Sequence, residues 1–208
     1  MARKIYNGEK NNKERTMNKL IQGVGTVLEN SGYTALTIAN IARAAGVDRK
    51  LVTLYFGSVE NLIETYIKRK DYWISLEQDT VKIEQNLTTD EIRGLLEGML
   101  LNQMENFSEN TEMQKAILWE ISEHSDIMSH VAQSREKLSS QLFPIADTQL
   151  KGKDVDLRAI TSVLVAGIYY LVLHSKATES TFCEIDLKSQ EGMGRIREAI
   201  KKILKLTL

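Results

Sequence analysis

The sequence predicts an all-α protein with a small N-terminal head of three helices and a larger helical body, and three observations carry that reading. The chain has one proline, Pro144, in 208 residues. No run shows the alternating pattern rich in Val, Ile and aromatics that marks a strand. Most stretches of helical periodicity open on a capping side chain or close on a glycine.

Taken in order, Leu20, Val24, Val27 and Leu28 mark a first helix over residues 14–30, closed by Gly32. Gly23 and Gly25 inside it each cost about 1 kcal/mol relative to Ala, which implies a close backbone approach at that point. Thr37 caps a short helix to residue 45, Gly46 breaks it, and Asp48 caps another to residue 54. Ser58 caps a longer helix expected to run to residue 76. The pattern weakens over residues 77–86, read as a linker, and Thr88 with Glu91 forms a capping box opening a helix to residue 107. Further helices are expected at 111–123, 126–149, 155–177 and 190–206, opened by side chains such as Ser125 and Asp154. About nine helices in series result, with no internal repeat.

The net charge of −1 conceals an asymmetry. Residues 1–70 hold 12 Lys and Arg against 6 Asp and Glu, a net +6, whereas residues 71–208 hold 15 against 22, a net −7. A basic head on an acidic body suggests that the head meets a polyanion. The single cysteine, Cys183, excludes an intramolecular disulfide and fits a reducing compartment. Arg3 and Lys4 are followed by polar residues rather than an apolar run. The longest apolar run, residues 163–173, is 11 residues against the roughly 18 that spanning a bilayer requires. The expectation is a soluble cytoplasmic protein with no membrane partner.

Residues 38–57 are the most informative stretch. Ile41, Ala45, Val47 and Val52 supply a small apolar core between two crossing helices, and Ala42 is small where the second passes over the first. Gly46 sits at the sharp turn, where a residue without Cβ takes positive φ freely. Asp48, Arg49, Lys50 and Thr53 then lie on the outward face at the start of the second helix, which is where a helix-turn-helix meets base edges in the major groove. Arg and Lys match the acceptors of guanine, and Thr bonds several bases or touches a thymine methyl. Arg49 and Lys50 are about 100° apart around the helix, so they are expected to do different work, Lys50 with Thr53 at base edges and Arg49 toward the phosphates.

Gly32-Tyr33, Thr37-Ile38, Ile41-Ala42, Ala44-Ala45-Gly46-Val47, Tyr55-Phe56, Ser58, Glu60 and Leu62 stand in the order seen in the TetR family of bacterial repressors, which this chain resembles over about residues 14–66. The resemblance implies a helix-turn-helix DNA-binding domain at residues 1–66 and an effector-binding and dimerisation domain at 67–208. It implies a homodimer on double-stranded DNA at an inverted-repeat operator, released as a repressor when a small molecule binds the body. Candidate DNA contacts are Lys13, Thr37, Arg43, Arg49, Lys50, Thr53, Tyr55 and Ser58. Three positions depart from the family pattern: Thr53 replaces a usual tyrosine, Lys50 a common glycine and Val59 a lysine. Lys10, Lys13 and Arg15 ahead of the first helix are candidates to restore phosphate contacts.

In the body, the helix over 155–177 is apolar around most of its circumference, more than one chain readily covers, and Ala166 with Gly167 permits close helix approach. The last helix places Met193, Ile196, Ile200, Ile203 and Leu204 opposite Arg195, Arg197, Lys201 and Lys202. By resemblance these helices build a four-helix bundle with a partner chain, through Ile160, Leu164, Gly167, Ile168, Leu171, Ile196, Ile200 and Ile203. Candidates for an effector pocket are Trp73, Met99, Met104, Phe107, Met113, Trp119, Tyr169 and Tyr170, whose adaptable apolar surfaces suit an apolar or aromatic molecule. No cofactor or metal is expected. A helical carboxylate metalloenzyme needs two Glu-x-x-His motifs, and none of His124, His130 and His174 follows a Glu at the third position. Glu120 and His124 are spaced for one helix face only. A helical scaffold or enzyme without DNA binding is the remaining alternative.

Overall fold

The computed structural model describes residues 7–79 and 86–208, with side chains from residue 12 onward and none at 78–79. Most of the expected linker, and the side chain of Lys10, lie outside these residues. Among the described residues there are ten α-helices and one 3-10 turn: α1 (Asn7–Ser31), the turn Tyr33–Ala35, α2 (Ile38–Ala45), α3 (Lys50–Phe56), α4 (Val59–Lys70), α5 (Tyr72–Asp79), α6 (Thr89–Glu109), α7 (Thr111–Ser122), α8 (Asp126–Gln149), α9 (Leu157–Ala177) and α10 (Gln190–Thr207). The only strand-like pairing among them is an isolated bridge between Phe182 and Ile185.

Two differences from the sequence reading have local causes. The first helix begins at Asn7, because nothing in the polar stretch before residue 14 stops it. The helix expected to run unbroken from Ser58 to residue 76 divides at Asp71, which takes an extended conformation (φ −73°, ψ 125°) and is buried. Asp favours side-chain bonds to nearby backbone over helix interiors, and Lys68, Arg69 and Lys70 suit the negative end of the helix dipole just before it. The capping box at Thr88 is present: its N–H donates to Glu91 Oε2 at 2.8 Å, and the Glu91 N–H donates back to Thr88 Oγ1 at 3.3 Å. For α9 the cap is Asp156 rather than Asp154, its Oδ1 accepting from the Ala159 N–H at 3.0 Å.

The chain forms two compact units, residues 1–71 with 111–134 and residues 72–110 with 135–208. In the first, α1 packs on α2, α4 and α7, and the core is built from Leu20, Val24, Leu28, Ile41, Val52, Leu62, Ile67, Ala116 and Val131. In the second, α6 packs on α5, α9 and α10, around Ile92, Leu100, Met104, Ile168, Val172 and Leu204.

Candidate nucleic-acid interface

The glycines of α1 explain how the first unit is held. A Cβ at Gly23 would stand 2.8 Å from the backbone oxygen of Ile41 and 3.1 Å from the Ala45 Cβ, so α2 crosses α1 in near backbone contact. A Cβ at Gly25 would stand 2.5 Å from the Tyr66 hydroxyl and 2.6 Å from Glu112 Oε1. Burial, and then the neighbouring Glu112 carboxylate, hold the Tyr66 phenol well above its ordinary pKa range. Lys70 pairs with the other oxygen of Glu112 at 3.1 Å, and the Tyr33 ring stacks on Trp119 at 5.2 Å between centroids.

On this base the turn between α2 and α3 is fixed by backbone bonds. Thr37 caps α2, its side chain accepting from the Asn40 N–H at 3.2 Å. Gly46 takes the left-handed conformation (φ 64°, ψ 38°). Its N–H donates to Arg43 O at 3.2 Å and that of Val47 to Ala42 O at 3.1 Å, the paired bonds of a Schellman ending. Asp48 Oδ1 accepts from the Lys50 N–H at 2.8 Å, so α3 begins two residues after the capping side chain and runs to Phe56. Val52 faces the core with no exposed surface. At the far end Gly57 has φ 79°, Ser58 accepts from the Asn61 N–H, and the Asn61 side chain donates to Phe56 O at 3.0 Å, locking α3 to α4.

The α3 face opposite Val52 is open to solvent. Arg49, Lys50, Thr53 and Leu54 are all exposed, and their spacings form two stripes four residues apart, Arg49 with Thr53 and Lys50 with Leu54. Lys13 is exposed with its ammonium 5.6 Å from the centre of the half-buried Tyr55 ring, so the start of α1 meets the end of α3. Arg43 is exposed on α2 and donates to Asn40 Oδ1 at 3.2 Å. Thr37 and Ser58 sit at helix N-termini, whose first-turn N–H groups favour phosphate. The basic and hydroxyl groups expected to contact DNA thus share one unit, on or beside the turn. Leu54 was not among the expected contacts; its signal was its place two residues beyond the buried Val52, about 200° around the helix.

Residues 26–66 match the family model of bacterial regulatory proteins of the tetR family. The match covers α2 and α3 with the turn between them, so this segment is similar to the helix-turn-helix of that family. The TetR fold extends through the rest of the chain. It is similar to a TetR family transcription regulator from Marinobacter aquaeolei VT8, at 18% identity over 91% of this chain and 97% of that one, with a TM-score of 0.62. A TetR transcription regulator from Haloarcula marismortui gives 18% identity, 93% and 98% coverage and a TM-score of 0.64. A fatty acid degradation regulator from Bacillus halodurans gives 15%, 90% and 96%, and 0.57. No curated protein matches the sequence. No group of three or more His, Cys, Asp and Glu among the described residues is placed to hold a metal ion. His124 lies beyond the end of α7 and pairs with Asp126 at 3.4 Å, so it does not share a helix face with Glu120.

The candidate pocket residues fall into two groups. Met113 and Trp119 belong to the core of the first unit. In the second, the Trp73 indole N–H donates to the Tyr169 hydroxyl at 3.1 Å, and the Phe107 ring meets Tyr169 edge-on at 4.8 Å. Met99 and Met104 are buried on the same helix as Phe107. Tyr170 is exposed and clusters with His174 and Phe182. Of the candidate interface residues, Leu164, Ile168 and Ile200 are buried within their own chain, Ile160, Gly167, Leu171 and Ile196 are half-buried, and Ile203 is exposed. The large apolar side chains left most open on α9 and α10 are Val163 at 71%, Tyr170 at 53% and Leu206 at 79% exposure. Helix α9 is long and apolar enough to cross a membrane, by length and composition alone, although its longest unbroken apolar run falls short.

Proposed function

We propose that this chain is a sequence-specific transcriptional regulator that binds an inverted-repeat operator as a homodimer and acts as a repressor released by a small molecule. The observation that carries the reading is the exposed Arg49, Lys50 and Thr53 face of α3, presented by a Schellman turn inside a segment that matches the TetR family model. Phosphate contacts from Lys13, Arg43 and Tyr55 and the N-termini at Thr37 and Ser58 position the head, and base edges are read from α3. The protein works in the cytoplasm, by binding, with no cofactor and no catalysis of its own.

A second copy of the chain covers the apolar surface of α9 and α10. Val163, Ala166 and Tyr170 form one stripe and Ile196, Ile203 and Leu206 another, and a Cβ at Gly167 would meet nothing within 4 Å, leaving room for a partner helix. Leu164, Ile168 and Ile200 support these stripes from beneath. The effector is an apolar or aromatic molecule held in the second unit near Trp73, Met99, Met104, Phe107 and Tyr169, where polar tips on apolar rings suit such a guest.

Selection of bound fragments from random duplex DNA by the full-length protein tests the reading. The expected product is a two-fold symmetric sequence, as a dimer of heads requires, and fragments of random sequence would contradict it. Light scattering on Val163→Asp and Leu206→Asp is expected to give monomers, and dimers of wild-type stability in both would remove the proposed interface. A ligand found by thermal shift is expected to change operator affinity by about 1–3 kcal/mol of coupling; hits that raise the Tm and leave DNA affinity unchanged would remove the sensing role.

A further inference from the structure

Leu54 is the one large hydrophobic side chain in the described part of residues 1–71 that stands exposed, at 70%. It lies on α3, one turn beyond Lys50 and beside Thr53, on the face opposite the core residue Val52. Lone surface leucines are common and need no explanation, but this one shares the surface that the regulator reading turns toward DNA. The polar groups around it have polar partners in a major groove: Lys50 the acceptors of guanine, Thr53 either a donor or an acceptor. A leucine has one apolar counterpart there, the 5-methyl group of thymine.

We propose that Leu54 is a specificity-determining residue, packing on a thymine methyl at one position of each operator half-site. The assignment rests on the DNA-binding reading above and goes beyond it by naming a base and the group on it that is recognised. Because Lys50 lies four residues before Leu54, both side chains project from one stripe of α3. The thymine read by Leu54 is therefore a near neighbour of the base read by Lys50.

The test uses the full-length protein and an operator selected from random duplexes, with each thymine replaced in turn by deoxyuridine, which removes only the methyl. For the wild type, one thymine in each half-site is expected to lose about fourfold in affinity on replacement, the worth of burying one methyl-sized group. Leu54→Ala is expected to bind thymine and deoxyuridine operators alike, and Leu54→Met to keep the preference. Selective DNA binding by the wild type with no thymine sensitive to its methyl would overturn this assignment and leave the regulator reading standing, as would an undiminished methyl preference in Leu54→Ala. Failure of the wild type to select any sequence would overturn both.

Discussion

Gly23 and Gly25 in α1 and Gly94 and Gly98 in α6 are the same residue type inside long helices, and they do opposite things. In the first unit each glycine is closely crossed, Gly23 by the backbone of α2 and Gly25 by the ends of the Tyr66 and Glu112 side chains. In the second, a Cβ at Gly94 or Gly98 would meet nothing within 4 Å, so those glycines only weaken the helix. The comparison teaches that a glycine inside a helix is explained by what crosses it: those of α1 lie under close contacts and those of α6 do not, and the body has its own tight point at Gly192 in α10, where a Cβ would run into the Asp186 backbone.

Substitution to alanine separates the two cases. Gly23→Ala carries the largest expected effect, a loss of about 1–3 kcal/mol from overpacking, because the atom in the way is backbone and does not step aside. Denaturant unfolding measures it, and a neutral result would mean that α1 and α2 are not in near backbone contact. Thr88→Ala comes next: it removes the cap of α6 and is expected to cost about 1 kcal/mol, read from the same unfolding curves. Gly94→Ala has the opposite sign, a gain of slightly under 1 kcal/mol from helix propensity alone. A loss there would show that the body, too, is tightly fitted at that point.

The smallest effect lies within the first unit, where α4 meets α8. Slight burial raises the Glu64 pKa, but Lys68 at 2.7 Å and His130 at 3.1 Å outweigh it and hold the carboxyl below its ordinary value. A carboxylate with a depressed pKa in the folded state contributes stability above its unfolded pKa, and that contribution is lost as pH falls through the folded value. Glu64→Gln is therefore expected to cost about 0.2–1 kcal/mol at neutral pH. That difference should vanish in acid below the carboxylate range. A gap that persists in acid would assign the loss to packing instead of charge.

The two units also differed in how much of them the sequence disclosed. In the head, turn geometry ties many positions together, so a small residue at 42, Gly46, Val47, Val52 and a basic helix start constrain one another, and the Schellman turn stands where Gly46 placed it. The Tyr66–Glu112 contact was not legible, because the partners are 46 positions apart and no local pattern links them. In the body the helices themselves were legible from caps and periodicity, as at Thr88. Which side of each helix meets which neighbour was not: Leu164, Ile168 and Ile200 share an apolar stripe with residues that stay open, and a stripe does not say what covers it. The division at Asp71 was hidden for a related reason, since a single Asp is tolerated in many helices.

Operator titration across salt concentration, on the wild type and on Arg49→Ala and Lys50→Ala, tests the central claim most directly. The α3 face is the reading surface, so Lys50→Ala should lose about 1–3 kcal/mol at one base position and relax the preference there. Arg49→Ala should weaken all sequences alike and lower the magnitude of the salt slope by about 1 per head. Full operator affinity and unchanged base preference in both variants would contradict the account, because DNA would then be met by some other surface.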